Sequence, residues 1–217
     1  MDKEEILNKI KRYVKEVCKN DSSGHDWWHI QRVYNNAMLI NKKEGANEFV
    51  LTAIVLMHDL YDHKFYNGNI EEKLEEILKE LHIYNYISKN DIENIIYSCA
   101  NLGFSANIAE QKELSVEGKI VQDADRLDAI GAIGIARTFA YGGKKGKPIY
   151  DSSNNGLVNE EEYKTKGSKT SVSHFYDKLL KVKDLMNTDT AKIIAKERHK
   201  YLEDFLQEFF DEWNGKK

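Results

Sequence analysis

The chain has 217 residues, of which 41% are hydrophobic, so it can bury a substantial core as a single domain. Its 32 basic and 36 acidic residues leave a formal net charge of -4, which gives no reason to expect a nucleic-acid polymer as a partner, although a small anionic substrate remains compatible. No segment approaches the roughly 20 apolar residues that span a bilayer, so we expect a soluble, cytoplasmic protein with no membrane partner.

The first half of the chain is predicted to form five helices, because apolar residues recur every three or four positions. A stripe from Ile6 to Val17 defines the first helix. The second, over residues 26–44, turns His29 towards the interior. The third, over residues 49–60 after an Asn47 N-cap, is apolar on nearly every side and should be the buried central helix. Two charged amphipathic helices follow, with apolar stripes at Leu74, Ile77, Leu78 and Leu81 and at Ile92, Ile95, Ile96 and Cys99.

The second half begins with a predicted long helix over residues 120–141, in which small residues allow a close approach of another helix. Residues 142–169 are polar and rich in glycine, which predicts a long loop of the kind that often carries function. Two C-terminal helices complete the chain over residues 170–214. We therefore predict an all-α, single-domain fold over residues 1–217, with a central core at about 20–141. The small residues of the long helix are Gly131, Ala132, Gly134 and Ala136, and the last two stripes are Phe175, Leu179, Val182 and Met186 and then Ile194, Tyr201, Phe205, Phe209 and Trp213.

Two adjacent ionisable residues, His58 and Asp59, directly follow the most apolar segment of the chain. Ionisable groups at the end of a buried helix need partners, and a divalent transition metal would supply one to an imidazole and a carboxylate. His29 and a distant aspartate would complete a mixed nitrogen and oxygen ligand set with positions left open for catalysis. From the pair alone, the alternative that His58 and Asp59 only cap the helix remains equally good. The two cysteines, Cys18 and Cys99, form no metal or disulfide pattern, and we expect both to be reduced.

The order His29, then His58-Asp59, then Asp123-Ala124-Asp125-Arg126-Leu127-Asp128 resembles the H...HD...D pattern of the HD-domain phosphohydrolase superfamily. This resemblance implies that His29, His58, Asp59 and Asp125 bind a divalent metal, with Asp123 as the rival to Asp125. Asp128 lies one helical turn beyond Asp125. It could orient a ligand or bind substrate, or it could form a helix-surface salt bridge.

Longer strings, including residues 24–29, 122–129, 140–143 and 174–180, are similar to the small bacterial HD hydrolases of the YpgQ type across nearly the whole chain. That resemblance implies an all-helical nucleotide pyrophosphohydrolase that uses Mn2+ to cleave a (deoxy)nucleoside triphosphate into the monophosphate and pyrophosphate. Fe, Co, Ni, Zn and Mg are alternative metals. The partner is then a small-molecule nucleotide, and the protein a monomer or a homodimer. The sequence Leu60-Tyr61-Asp62-His63 departs from the residues common in that group and leaves the shape of the pocket open.

Further candidates for the site surround these motifs. Asp62 is the candidate catalytic carboxylate, which would activate or orient the attacking water. Arg32, with its permanent charge and forked donors, is a candidate phosphate contact. The other substrate-binding candidates are His25, His63, Lys64, Asp128, Lys144, Lys147 and Lys178. The lysines of the glycine-containing loop lack the spacing of a P-loop, so an exposed solvated loop is the competing interpretation.

Three other functions remain open at this level. The same site could act on another phosphoester, as a 5'-nucleotidase, a cyclic-nucleotide phosphodiesterase or an alarmone hydrolase does. The chain could instead be a silent nucleotide sensor in which the metal is only a brace. It could also be a helical interaction protein without a metal, in which case the four ligand candidates would lie apart in space.

Overall fold

A computed structural model describes residues 1–20, 26–61, 68–103, 112–153, 162–163 and 166–217. Its regular elements in these ranges are α-helices and short 3-10 helices, with no strand among the described residues, which confirms the all-helical prediction. The α-helices are α1 (Lys3–Val17), α2 (Trp27–Glu44), α3 (Glu48–Met57), α4 (Ile70–Glu80), α5 (Lys89–Asn101), α6 (Val116–Asp128), α7 (Gly131–Lys144), α8 (Ser171–Asp177) and α9 (Asp189–Trp213), and the 3-10 helices are Cys18–Asn20, Tyr84–Tyr86 and Leu179–Leu185.

The described residues form two compact units, residues 1–125 and residues 126–217, with the boundary inside α6. The prediction of one domain over residues 1–217 therefore stays a prediction. None of the described helices combines the length and the apolar composition that crossing a membrane would require.

Helix α3 is the centre of the first unit, as predicted. It packs against α1, α2 and α5, and every residue from Phe49 to Met57 except Thr52 is buried. Burial of each large apolar side chain contributes roughly 1.5–3 kcal/mol, so this short helix makes a large contribution to the stability of the unit. The helix ends at Met57, earlier than the predicted Leu60, because the chain turns at His58. Both residues of the predicted metal motif therefore lie in a turn at the end of the central helix.

Side chains and glycine set the ends of the two preceding helices. Asp2 forms a capping box with Glu5 at the start of α1, and Asp26 accepts a hydrogen bond from the His29 amide at the start of α2. Gly45 ends α2 in the left-handed conformation. The α1 stripe is confirmed except at Val17, which is exposed because the helix ends there.

The second unit contains the largest departure from the predicted elements. The single helix predicted over residues 120–141 is two helices, α6 and α7, separated by a turn after Asp128. Gly131 begins α7 with φ +73°, a conformation that side chains disfavour, and a Cβ there would press on Arg198 of α9. At Gly134 a Cβ would lie 2.2 Å from the Ala129 carbonyl oxygen. These glycines therefore permit a sharp helix break, and Gly131 also accommodates α9, whereas Ala132 and Ala136 are exposed.

The C-terminal elements of this unit also differ in detail. The apolar stripe from Phe175 to Met186 is buried as predicted, but it is shared between the short helix α8 and the 3-10 helix that follows. In α9 the buried face is rotated from the predicted one, since Tyr201 is exposed. Its buried residues are Ala191, Ala195, His199, Leu202 and Leu206.

The predicted loop over residues 142–169 is closed at its base. Helix α7 continues through the first three of these residues. Beyond it, the Ser171 and Val172 amides donate to the Pro148 and Ile149 carbonyl oxygens, 3.0 Å away in both cases. The ammonium group of Lys147 donates a hydrogen bond to the Ser168 carbonyl oxygen at 2.5 Å. The two ends of the loop are therefore joined to each other.

Candidate metal centre

His29 reaches the interior from the first turn of α2. Its backbone amide is fixed by the Asp26 cap at 2.9 Å, and its side chain is 1% exposed. The buried residues that follow on the same face include the apolar Val33 and Ala37. The helix thus aims one imidazole into the first unit, as the sequence predicted.

His58 is oriented by the helix that it ends. Its Nδ1 lies 2.8 Å from the Val55 carbonyl oxygen, and because a carbonyl only accepts, Nδ1 carries the hydrogen. The other ring nitrogen, Nε2, is then a lone-pair donor. This nitrogen is buried and makes no hydrogen bond among the residues that the structure describes. A backbone carbonyl that fixes the tautomer of a histidine in this way is a common arrangement behind metal ligands.

Four side chains of the first unit converge at this point. The His29 Nε2 atom lies 3.1 Å from Asp59 Oδ2 and 3.4 Å from Asp125 Oδ1, and His58 Nε2 lies 3.4 Å from Asp59 Oδ2. One ligand atom from each of His29, His58 and Asp125 falls within 4.8 Å of the others. Residues that are up to 96 positions apart in sequence therefore lie next to one another in space.

The donor set fits a divalent metal ion. Two neutral imidazole nitrogens and two carboxylates suit first-row transition metals, and the buried Nε2 of His58 has no hydrogen bond in the described part of the chain. Exposure rises from 1% at His29 to 19% at Asp59 and 48% at Asp125, so the cluster is closed on the histidine side and accessible on the Asp125 side. An ion held here can keep open positions, which catalysis requires. The alternative in which the four residues lie apart in space is excluded by these distances.

Asp125 and its predicted rival Asp123 have different surroundings. Asp125 joins the cluster, whereas Asp123 is fully buried, has its own contacts and is not a member of the cluster among the described residues. A helix places residues two positions apart on different faces, which explains why only one of the two can reach the histidines. The geometry favours Asp125.

The nearest thiol makes no contribution to this donor set. Cys99 contacts the Ile54 carbonyl oxygen at 3.7 Å, and neither it nor Cys18 forms a disulfide, as expected. Burial raises the pKa of the Cys99 thiol far above its usual range, and the charge of Asp59 adds a smaller increase. The thiol therefore stays protonated and acts as a small packed side chain.

The predicted catalytic and substrate-binding residues are less fully described. Asp62, His63, Lys64 and His25 lie outside the described residues, so those predictions stay predictions. Arg32 is half-buried on α2, one turn after His29.

The remaining candidates belong to the second unit. Asp128 is buried and forms a salt bridge to Arg137 of α7 at 2.7 Å, which joins two helices and is not the helix-surface salt bridge of the competing interpretation. Lys144 is exposed at the end of α7, Lys147 is bonded to the Ser168 carbonyl, and Lys178 is half-buried after α8. Their roles towards a substrate stay predictions.

Sequence reasoning overlooked Asn36, although its spacing offered a signal. It lies seven residues after His29, about two helical turns, and is buried on the same face of α2. Its side-chain nitrogen donates to the carbonyl oxygen of Ala124 at 3.1 Å, and Ala124 directly precedes Asp125. An asparagine within an otherwise apolar stripe of a helix is the sequence signal that could have identified Asn36.

Known proteins are similar to this chain in sequence. The chain matches the HD domain family over residues 27–130, which include His29, His58, Asp59 and Asp125. It is 38% identical over 200 residues to the YpgQ protein of Bacillus subtilis, an overlap of 92% of this chain and 89% of that protein.

Solved structures extend the likeness to the fold. The crystal structure of an HD-superfamily hydrolase from Bacillus thuringiensis is similar with a TM-score of 0.76 and 41% identity, covering 98% of this chain and 99% of that one. The crystal structure of B. subtilis YpgQ in complex with ADP gives a TM-score of 0.73 and 33% identity, covering 98% and 97%. The chain therefore belongs to the HD-domain superfamily of hydrolases, together with B. subtilis YpgQ.

Proposed function

We propose that this protein is a nucleotide pyrophosphohydrolase, which uses water to cleave a (deoxy)nucleoside triphosphate between its α and β phosphates. The products are the nucleoside monophosphate and pyrophosphate. The observation that carries the proposal is the convergence of His29, His58, Asp59 and Asp125 within one unit, with His58 Nε2 3.4 Å from Asp59 Oδ2. Membership of a family of hydrolases supports the choice of a hydrolytic reaction.

In this proposal the two histidines and two aspartates hold one divalent cation, with Mn2+ as the favoured ion. When bound, such a cation lowers the pKa of water and offsets negative charge on a phosphoryl oxygen. His58 keeps its lone pair aimed at the ion because Val55 occupies its other nitrogen. Asp59 contacts both histidines and balances the positive charge of the site. These residues bind and orient, and no covalent intermediate with the protein is required.

The nucleotide as substrate is supported by likeness to a relative. B. subtilis YpgQ has been crystallised in complex with ADP, and its structure matches this chain over nearly its full length. A diphosphate ligand agrees with a site that handles phosphoanhydrides. It does not distinguish which bond is cut, and the pyrophosphate product follows from the resemblance to the YpgQ group.

The assignments that complete the proposed reaction rest on the sequence alone. Asp62 would orient or deprotonate the attacking water, because it is a carboxylate that closely follows the His58-Asp59 pair in sequence. Arg32, Lys64 and Lys178 would balance the charge that develops on the phosphates. The prediction for Asp62→Ala is retained metal and loss of most turnover.

The test is a product analysis with defined metals. Metal-stripped protein is incubated with each (deoxy)nucleoside triphosphate and Mn2+, and separately with Mg2+, Fe2+, Co2+, Ni2+ or Zn2+. Chromatography then resolves monophosphate, diphosphate, pyrophosphate and phosphate. We expect monophosphate and pyrophosphate in equal amounts, activity that disappears without added metal, and the highest rate with Mn2+.

Other products would correct the proposal in defined ways. Diphosphate with free phosphate would keep the hydrolase but move the cleaved bond. Turnover confined to nucleoside monophosphates, cyclic nucleotides or alarmones would replace the substrate class. Nucleotide binding without turnover under any metal would favour the silent sensor.

A further inference from the structure

We propose that Asn36 is a positioning residue that fixes the separation of two metal-binding side chains, His29 and Asp125. It does so by joining helix α2 directly to helix α6. The inference rests on the ligand set of the proposed function and adds to it a residue that touches neither metal nor substrate.

One hydrogen bond of Asn36 connects the two helices that carry His29 and Asp125. Its side-chain nitrogen donates to the Ala124 carbonyl oxygen at 3.1 Å, and Asn36 is 8% exposed, so water does not compete for this contact. On α2 it shares the buried face with His29, about two turns away. On α6 the bonded residue is the immediate neighbour of Asp125. One hydrogen bond thus links the backbone of one ligand-bearing helix to a side chain of the other.

The amide differs from its neighbours in what it contributes. The adjacent buried positions of α2, among them Val33 and Ile40, are apolar and pack without a required direction. A polar amide in the same stripe costs free energy unless it is bonded, and a leucine of similar size would fill the space without that cost. The bond to Ala124 therefore adds direction and distance rather than burial. It resists sliding or rotation of α6 along α2.

Metal binding is sensitive to such movement. His29 Nε2 and Asp125 Oδ1 lie 3.4 Å apart, and ligand distances in metal sites are held to about 0.2 Å. A shift of α6 by a fraction of an ångström would move the Asp125 carboxylate outside this range. Loss of groups that orient ligands commonly weakens metal affinity by about 10- to 100-fold. We expect the lower end of that range for Asn36, because it acts through the helix and not on a ligand directly.

The experiment compares Asn36→Leu with a matched control on the same helix, Asn41→Leu. The Asn41 side chain donates to the Ala46 carbonyl oxygen at 3.3 Å and accepts from the Ala46 amide at 2.7 Å, in the connection that follows α2. Both variants thus lose an asparagine bonded to a backbone carbonyl, but only Asn36 joins α2 to α6. The affinity for Mn2+ alone is measured from the electron paramagnetic resonance signal of the free ion, and the Tm of each metal-free protein is recorded.

We expect about a 10-fold weaker affinity for Mn2+ in Asn36→Leu and an unchanged affinity in Asn41→Leu, with the Tm showing that each variant is folded. Asn36→Gln, which retains the amide, should recover part of the affinity. Asn36→Ala is measured in the same way should the leucine variant not fold.

Two other results would overturn the inference and are distinguishable. Wild-type affinity in the folded Asn36 variants would make Asn36 a structural residue only and leave the proposed metal centre intact. Absence of Mn2+ binding by the wild-type protein would remove the metal centre itself, and with it both the proposed function and the role of Asn36.

Discussion

Each unit of this protein places a carboxylate against nitrogen-bearing side chains, but with opposite consequences. In the first unit Asp59 lies 3.1 Å from His29 and 3.4 Å from His58. In the second, Asp128 lies 2.7 Å from Arg137, and Arg198 is close enough for the charge of Asp128 to affect its pKa. Both carboxylates lie against nitrogen-bearing side chains, but the side chain of Asp59 is 19% exposed and that of Asp128 only 2%.

The two clusters differ in the hydrogen-bonding capacity that is left on their nitrogen-bearing side chains. An arginine side chain has only hydrogen-bond donors. Here Arg137 also donates to the Asp128 carbonyl oxygen, and Arg198 donates to the Leu127 carbonyl oxygen at 2.6 Å. His58 uses one nitrogen on Val55 and retains a buried lone pair on the other. The second cluster stabilises a helix break, while the first retains a lone pair that can bind a cation. A buried lone pair is thus a better indicator of a site than buried charge.

The largest expected effect follows from breaking the first cluster. Asp59→Ala removes the carboxylate shared by both histidines, so we expect loss of bound metal and a fall in turnover of about 10³-fold or more, equivalent to roughly 4 kcal/mol of activation free energy. The free energy of unfolding of the metal-free protein should change little, because the Asp59 side chain is partly exposed and its neutral histidine neighbours leave no uncompensated charge. Metal content is measured by elemental analysis and turnover by the product assay.

The matched control is Asp204→Ala. This aspartate forms an exposed salt bridge with Lys200 at 2.7 Å on the surface of α9, and its loss should leave metal content and turnover unchanged. Asp125→Ala should behave like Asp59→Ala. Full turnover in Asp125→Ala would instead remove that residue from the ligand set.

Breaking the second cluster should have the reverse result. Asp128→Ala leaves two arginines at the helix break without their carboxylate, and we expect a loss of about 3 kcal/mol in the free energy of unfolding. Metal affinity should stay within a factor of about three of wild type, because no predicted ligand is removed. Urea unfolding monitored by circular dichroism gives the stability, and Mn2+ titration gives the affinity. Unchanged stability with lost nucleotide binding would support the earlier prediction that Asp128 contacts substrate.

These two clusters also show how much of the structure could be predicted from the sequence. The helical class, the buried α3 and the convergence of His29, His58, Asp59 and Asp125 followed from apolar periodicity and from a recognisable residue order. Each of these depends on local pattern or on a motif. They are the features that a single sequence expresses directly.

The helix break between α6 and α7 could not be predicted in the same way. Gly131 and Gly134 are compatible with a continuous helix of small residues, and only contacts made far along the chain, such as that of Arg198 with Leu127, favour the turn. The same holds for Asn36, whose partner Ala124 is 88 residues away. Pairings between distant residues decide these features, and local propensity does not contain them.

The smallest effect concerns a further basic cluster in the second unit, around His174. Its Nδ1 lies 3.1 Å from Ser168 Oγ, and the Tyr163 ring stacks on it at 6.1 Å between centroids. Burial lowers the pKa of His174 to about 4, with smaller contributions from the charges of Lys178 and Lys147. In the unfolded chain the imidazole titrates near its ordinary pKa, so between these two values only the unfolded state binds the proton.

Stability from this group is therefore complete above the unfolded pKa of 6.5 and decreases as the pH falls towards 4. We expect it to account for a loss of about 2 kcal/mol in the free energy of unfolding between about pH 7 and pH 4.5. His174→Phe, which keeps a ring against Tyr163, should unfold with a correspondingly shallower dependence on pH, as measured by urea titrations across this range. An equal slope in the two proteins would mean that the imidazole has the same pKa in the folded and unfolded states, and would contradict the lowering of its pKa by burial.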